Sequence, residues 1–203
     1  MDRRIERTKH SLQASLLSLI REMPYEDIEI QAITDRANTA RVSFYRHYAA
    51  KNELLFDCLA TIYEQILAAM GTYDLESVLD LNRKPPCLPL FAFLETDREL
   101  YRRLALGSVG ALVQQRVRAY IVDENLRIFG QSPRFADAPI GLIANHIASC
   151  EIGNLVWWLT DDNPYPAEYI ARMSHAMSVT GAMLMIGRLD EVILPAAGAL
   201  APA

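Results

Sequence analysis

Between Gln31 and Lys51 the chain reads QAITDRANTARVSFYRHYAAK, which places Gln31, Thr39, Arg41, Ser43, Tyr45, Arg46, His47 and Lys51 within 21 residues. Together they supply amide, hydroxyl, guanidinium, imidazole and ammonium donors. Those groups bond phosphate oxygens and the edges of bases, which is the chemistry of reading DNA.

Two short elements must position them. Ile30, Ile33 and Ala37 share one apolar helical face and predict a supporting helix. Asn38 stands where that helix must stop, and Asn tolerates the left-handed backbone such a stop often needs. Thr39 and Ala40 complete a tight turn. From Arg41 onward, the spacing of Val42, Tyr45 and Tyr48 predicts an inward face, with Arg41, Ser43, Phe44, Arg46 and His47 more outward. Val42 still belongs to the candidate interface by position, and the Tyr45 ring can pack while its hydroxyl reaches a phosphate. Such a helix fits a major groove about 12 Å wide.

The run A-N-T-A-R-V-S-F-Y-R-H-Y-A-A-K-N-E-L resembles the TetR-type helix-turn-helix signature, matching it at Ala37, Ser43, Phe44, Tyr45, His47, Lys51 and Leu54. It departs at Thr34, Asn38, Tyr48 and Ala50, which stand where small Ala, Gly, Phe and a capping Ser are usual. The missing cap costs about 1 kcal/mol. The resemblance implies an all-α protein with a DNA-binding head over 1–50 (motif about 29–48), a helical ligand-binding and dimerisation body over 51–190 and a flexible tail over 191–203. It also implies a homodimeric repressor released from double-stranded DNA by a small-molecule effector. Half-sites would lie about 34–36 Å apart or a multiple of that. Tyr45, His47 and Lys51 become phosphate candidates by their match to the motif. Arg41 and Ser43 are candidates for base edges, and Gln31 and Arg46 for either.

The formal net charge of −5 does not suit a nonspecific nucleic-acid coat, but its distribution is uneven. Residues 1–51 hold nine Lys or Arg against seven Asp or Glu, and the remainder 11 against 18, leaving a mildly basic head on an acidic body. No stretch approaches the roughly 18 consecutive apolar residues of a membrane helix, and the N-terminus lacks a signal-peptide core, so a cytoplasmic location is expected. Cys58, Cys87 and Cys150 are far apart and follow no metal spacing, so neither a disulfide framework nor a metal site is expected, and no cofactor.

Beyond the motif, periodicity and breakers predict helices near 4–22, 51–70, 90–95, 98–106, 109–129, 140–160 and 166–187, with a proline-rich connection at 82–89. The helix from Lys51, carrying Leu54, Leu55, Cys58, Leu59, Ile62 and Ile66 inward, reaches from the head into the body. The segments 90–94, 98–101 and 153–159 more loosely resemble the sensor half of regulators related to dihydroxyacetone kinase. In the last two helices Gly141, Ala144 and Ala148, and Ala171, Ser174, Ser178, Gly181 and Ala182, form small-residue stripes. With Ile170, Met173, Met177 and Leu184 beside them, they are the expected dimer interface, packing within one chain being the alternative. Tyr63, Phe91, Phe93, Tyr101, Tyr120 and Trp157 are the expected lining of an apolar pocket.

An enzyme is disfavoured, because no glycine-rich phosphate loop, HExxH or GxSxG occurs. Two alternatives remain: the same fold with a sensor that binds a protein partner as an activator, and a helical adaptor that binds no DNA.

Overall fold

Hydrophobic periodicity of 3.6 residues, interrupted by proline and glycine, gives ten α-helices and no strand among the described residues of a computed structural model. The structure describes residues 3–107, 110–161 and 165–196. The helices are α1 Arg3–Glu22, α2 Ile30–Arg36, α3 Arg41–Tyr45, α4 Lys51–Met70, α5 Leu75–Leu79, α6 Leu88–Glu95, α7 Arg98–Leu106, α8 Gly110–Gly130, α9 Ile140–Thr160 and α10 Ala167–Met185.

In α1, Leu12, Leu16, Leu19 and Ile20 form the buried stripe, and Met23-Pro24 ends the helix before a short 3-10 turn at Tyr25–Asp27. The stripe packs on α2, α4 and α7, so one apolar core runs from Ile33 and Phe44 at the head through Leu54, Ile62 and Ile66 of α4 to Leu90, Phe91 and Trp158 in the body. A second cluster, around Phe129, Phe135, Ile147, Val179 and Met183, closes the far end. Asp74 and Asp97 start α5 and α7 by accepting the backbone N–H groups of Ser77 and Leu100. In α6 the last proline of the connection occupies the first turn, where its missing N–H costs nothing.

Gly110 is required by a close approach. A Cβ built there would lie 2.0 Å from the Ala105 carbonyl oxygen, where the end of α7 meets the start of α8.

The first residues of the expected tail are held by the body. Ile193 N–H donates to the Leu79 carbonyl at 2.9 Å, and Leu81 N–H donates back to Ile193 at 3.0 Å. Val192 is buried, and Glu191 holds Arg134 at 2.9 Å. Val192 covers a core edge soon after α10, which the small-residue composition of the end conceals. Residues 197–203 of the expected tail lie outside the described residues.

Candidate functional site

The head is built on the turn between α2 and α3. Asn38 has φ 47°, the left-handed conformation anticipated for it, and Thr39 N–H closes the turn on the Thr34 carbonyl at 3.0 Å. Ser11 in α1 donates to the Ala37 carbonyl at 3.1 Å, tying the turn to the first helix. Thr34, in place of a small alanine, is fully buried and returns its hydroxyl to the Gln31 carbonyl at 3.0 Å.

The inward face of α3 differs from the expected one. Phe44 is 0% exposed and Tyr48 4%, whereas Val42 is 66% exposed and Tyr45 48%. The 42-45-48 and 44-48 spacings both end on Tyr48, so periodicity alone does not choose between them. The structure chooses Phe44, whose ring meets Tyr45 edge-on at 5.4 Å and Tyr48 at 5.7 Å. Tyr48 in turn donates its hydroxyl to Asp57 at 2.6 Å, and Lys9 approaches the same carboxylate at 3.4 Å. That hydrogen bond, before the Lys9 charge, holds the Asp57 carboxyl below the usual carboxylate range.

This anchoring leaves Arg41, Val42, Tyr45 and Arg46 exposed together on one side of α3, with Gln31 exposed on α2. The Arg41 guanidinium lies 5.8 Å from the centre of the Tyr45 ring and donates to its hydroxyl at 3.3 Å. Gln31 is turned toward Asp35 at 2.6 Å. Ser43, Thr39 and His47 are half-buried at the rim.

Lys51 is placed otherwise than expected. Its ammonium donates to the carbonyls of Ile28 at 2.6 Å, Tyr25 at 2.7 Å and Glu26 at 3.3 Å, and sits 4.3 Å from the Tyr25 ring centre. An ammonium has three donors, so this cage uses all of them and turns the charge away from a phosphate. Burial lowers its pKa, against the opposing pull of Glu26 and Asp27. The absent cap at Ala50 is offset by Glu53, whose carboxylate accepts the Ala49 N–H at 2.7 Å.

In the body, a narrow cavity of about 60 Å³ lies between α4, α6, α7, α8 and α9, walled by Leu59, Ile62, Tyr101, Val113, Ile152 and Leu155 among others. Gln114 brings an amide to this wall and donates to the Ala105 carbonyl at 3.3 Å. A smaller hollow bounded by Phe56, Tyr63, Leu112 and Arg116 shares Leu59 and Val113 with it. Of the expected aromatic lining, Tyr101 reaches the main cavity and Tyr63 the outer hollow. Phe91 is instead core, its ring tilted against Trp158 at 5.8 Å, and Phe93 backs Tyr101 at 5.5 Å. Tyr120 is partly buried against the core, and Trp157 faces outward, 42% exposed. Aliphatic side chains carry most of the wall, and their spacing looks like any other core.

The small-residue stripes also resolve differently. Ala144, Ala148, Ala171, Ser174, Ser178 and Ala182 are buried within the one chain, where α9 and α10 pack on each other. Gly141 is exposed and Gly181 half-buried. The outward face is carried by Leu142, His146, Ser149, Gly153 and Trp157 along α9 and by Met173, Met177, Gly181 and Leu184 along α10. These rows adjoin, since a Cβ on Gly181 would lie 3.8 Å from His146 Nε2. Most of the small residues are buried within the chain, and Leu142, Met177 and Leu184 point away.

Three buried groups were not anticipated as a set. Cys87, from the turn before α6, Glu151 of α9 and His175 of α10 converge in the core, a proximity that no sequence spacing encodes.

No known protein-family model matches the chain. YxbF of Bacillus subtilis (strain 168), described as an uncharacterized HTH-type transcriptional regulator, is 25% identical over 174 residues, 85% of this chain. The chain spans 44% of that relative's length. The solved structure of a TetR-family transcriptional regulator from Streptomyces coelicolor superimposes with a TM-score of 0.68, at 17% identity over 96% of this chain and 92% of the other. The chain shares the fold of that regulator, with ten helices among the described residues and a helix-turn-helix at their head.

Proposed function

We propose that the chain is a transcription regulator that reads double-stranded DNA as a homodimer and leaves its operator when a small apolar or amphipathic effector enters the body. The observation that carries this reading is the outward side of α3, where Arg41, Val42, Tyr45 and Arg46 are exposed together on a helix pinned from behind by Phe44. Exposed aromatic and aliphatic groups cost solvation, and a groove with thymine methyls and phosphates covers them. In this reading Arg41 and Ser43 meet base edges, and Tyr45, Arg46, His47, Thr39 and Gln31 hold the backbone. Lys51 acts behind them by fixing the start of α4.

The outward α9–α10 face supports the dimer. Leu142, Met177 and Leu184 are 69%, 63% and 57% exposed in the single chain, and a second copy related by a twofold axis would cover the same patch on both sides. The division into a head over 1–50 and a body over 51–190 belongs to the same proposal, with α4 shared between them.

The position of the cavity supports effector release. At about 60 Å³ it is smaller than the roughly 300 Å³ of an ordinary ligand pocket, so an effector has to push α4 and α7 apart to enter. Both helices lead to the head: α4 begins at the Lys51 cage, and Asp97 at the start of α7 accepts Arg21 Nε of α1 at 2.8 Å. Operator binding and effector binding are then coupled through two rigid helices with two arrangements.

The test is selection of bound duplexes from a random pool, followed by titration of the enriched site in varied salt. A pseudo-palindrome bound by two chains supports the reading. No enrichment above nonspecific binding would remove it.

A further inference from the structure

Cys87 at the start of α6, Glu151 in α9 and His175 in α10 are 1%, 5% and 4% exposed, and one donor atom from each lies within 4.8 Å of the others. His175 Nε2 is 3.0 Å from the Val78 carbonyl. A carbonyl only accepts, so Nε2 carries the proton and a neutral imidazole presents the Nδ1 lone pair. That lone pair faces Glu151 Oε1 at 3.4 Å. Two acceptors facing each other in a dry core require something positive between them, either a proton or a metal ion.

A third group brings a soft donor to the same point. The Cys87 thiol donates to the Ala171 carbonyl at 3.6 Å, and once deprotonated its sulfur would join the imidazole and carboxylate around a cation. We propose that Cys87, Glu151 and His175 form a binding site for a zinc-class divalent cation, with one sulfur, one oxygen and one nitrogen donor and a fourth position for water. The donor set suits zinc and excludes magnesium and calcium, which favour all-oxygen shells. The His175 N–H held by a backbone carbonyl is the outer-shell arrangement that orients a metal-binding imidazole.

The charges balance. Binding breaks the Cys87 S–H bond and expels any proton held between His175 and Glu151, both protons going to solvent. The sulfur lone pair forms the bond to the cation. Two positive charges then meet one thiolate and one carboxylate, so the core holds no net charge. The cation would join α6, α9 and α10 beneath the outward helical face, with Val78 of α5 steadying the imidazole. This site does not depend on DNA reading.

The experiment is a titration of the chelator-stripped full chain with Co²⁺ as the spectroscopic stand-in, then with Zn²⁺ in competition. A thiolate-to-cobalt charge-transfer band saturating at one ion per chain is expected, lost in Cys87→Ser and retained in Cys150→Ser. In Glu151→Gln the affinity, read by competition with a chromogenic chelator, should fall about 10- to 100-fold. His146 and Cys150 form a more exposed pair with the sulfur 3.7 Å from Nε2, and they are the competing site. A band that survives Cys87→Ser and disappears in Cys150→Ser overturns the proposal, as does the absence of any band in the folded wild-type chain. If the core variants do not fold, X-ray absorption of the zinc-loaded wild-type and Cys150→Ser chains decides. One sulfur among nitrogen and oxygen scatterers in both supports the site, and sulfur lost with Cys150 refutes it.

Discussion

The Lys51 ammonium lies 2.6 Å from the Ile28 carbonyl, and with two further carbonyls at Tyr25 and Glu26 it closes the loop before α2 against the first turn of α4. A cation at a helix N-terminus opposes the helix dipole, so this position needs the carbonyl cage around it. Lys51→Met should therefore destabilise the fold by about 1–3 kcal/mol, read by urea unfolding. The slope of log affinity against log salt should stay as in the wild type. A slope reduced by about one, with unchanged stability, would return Lys51 to the phosphate contacts.

Arg41 and Arg46 carry the opposite expectation. Arg41→Ala should weaken the selected operator by about 1–3 kcal/mol and a scrambled duplex much less, as loss of a base contact does. Arg46→Ala should weaken both duplexes alike and lower the salt slope by about one. Fluorescence anisotropy on the two duplexes at several salt concentrations separates the cases. Wild-type affinities in both variants would take α3 out of the interface.

Val113 stands between the central cavity and the outer hollow. A phenyl group at this position fills space that the proposed effector would enter. Val113→Phe should thus bind operator normally, lose release by any effector found by screening, and change stability by no more than about 1–3 kcal/mol. Release by effector at wild-type concentrations would place the effector elsewhere.

Met177 and Leu184 are exposed on the outward face of α10. A charge at either should resist burial against its own symmetry mate. Met177→Asp is expected to shift sedimentation toward a monomer and to weaken operator binding at low concentration, with the helical circular dichroism signal unchanged. A variant that sediments as the wild type does would move the dimer contact to another face.

The bond from Tyr48 to Asp57 makes a prediction in acid. The Asp57 carboxyl is held below its ordinary value, chiefly by that hydrogen bond, so its contribution is present above the unfolded carboxyl pKa of about 4 and disappears as pH falls through the folded value. Tyr48→Phe should cost about 1 kcal/mol at neutral pH, and the difference should close as pH falls below the ordinary carboxyl range. Urea midpoints across that range check it, and a gap that persists undiminished in acid would assign the loss to packing.

Much of the architecture was legible in the sequence. The ranges for α7 and α9 agree with the periodic segments at 98–106 and 140–160, because uninterrupted apolar spacing between breakers fixes a helix locally. Asn38 was legible because few residues accept its backbone angles. α5 was not, since five residues offer little period and an Asp74 cap alone does not announce a helix. The candidate site was legible in composition but not in orientation: Phe44 and Tyr45 exchanged roles, and only the packing of α3 on α2 and the shared core distinguishes them. The use of Lys51, and the meeting of Cys87, Glu151 and His175, depend on residues more than 20 positions apart in sequence. No local pattern carries such contacts.

α10 is fastened at both ends. Its first N–H, at Ala167, donates to the Glu95 carboxylate at 2.9 Å, and the chain beyond its last turn is paired through Ile193 to the end of α5. A helix held this way has already lost the freedom to slide or fray before any second copy arrives. In the proposed dimer, association on its outward face would need little further ordering, and most of the apolar area covered there would be available as affinity.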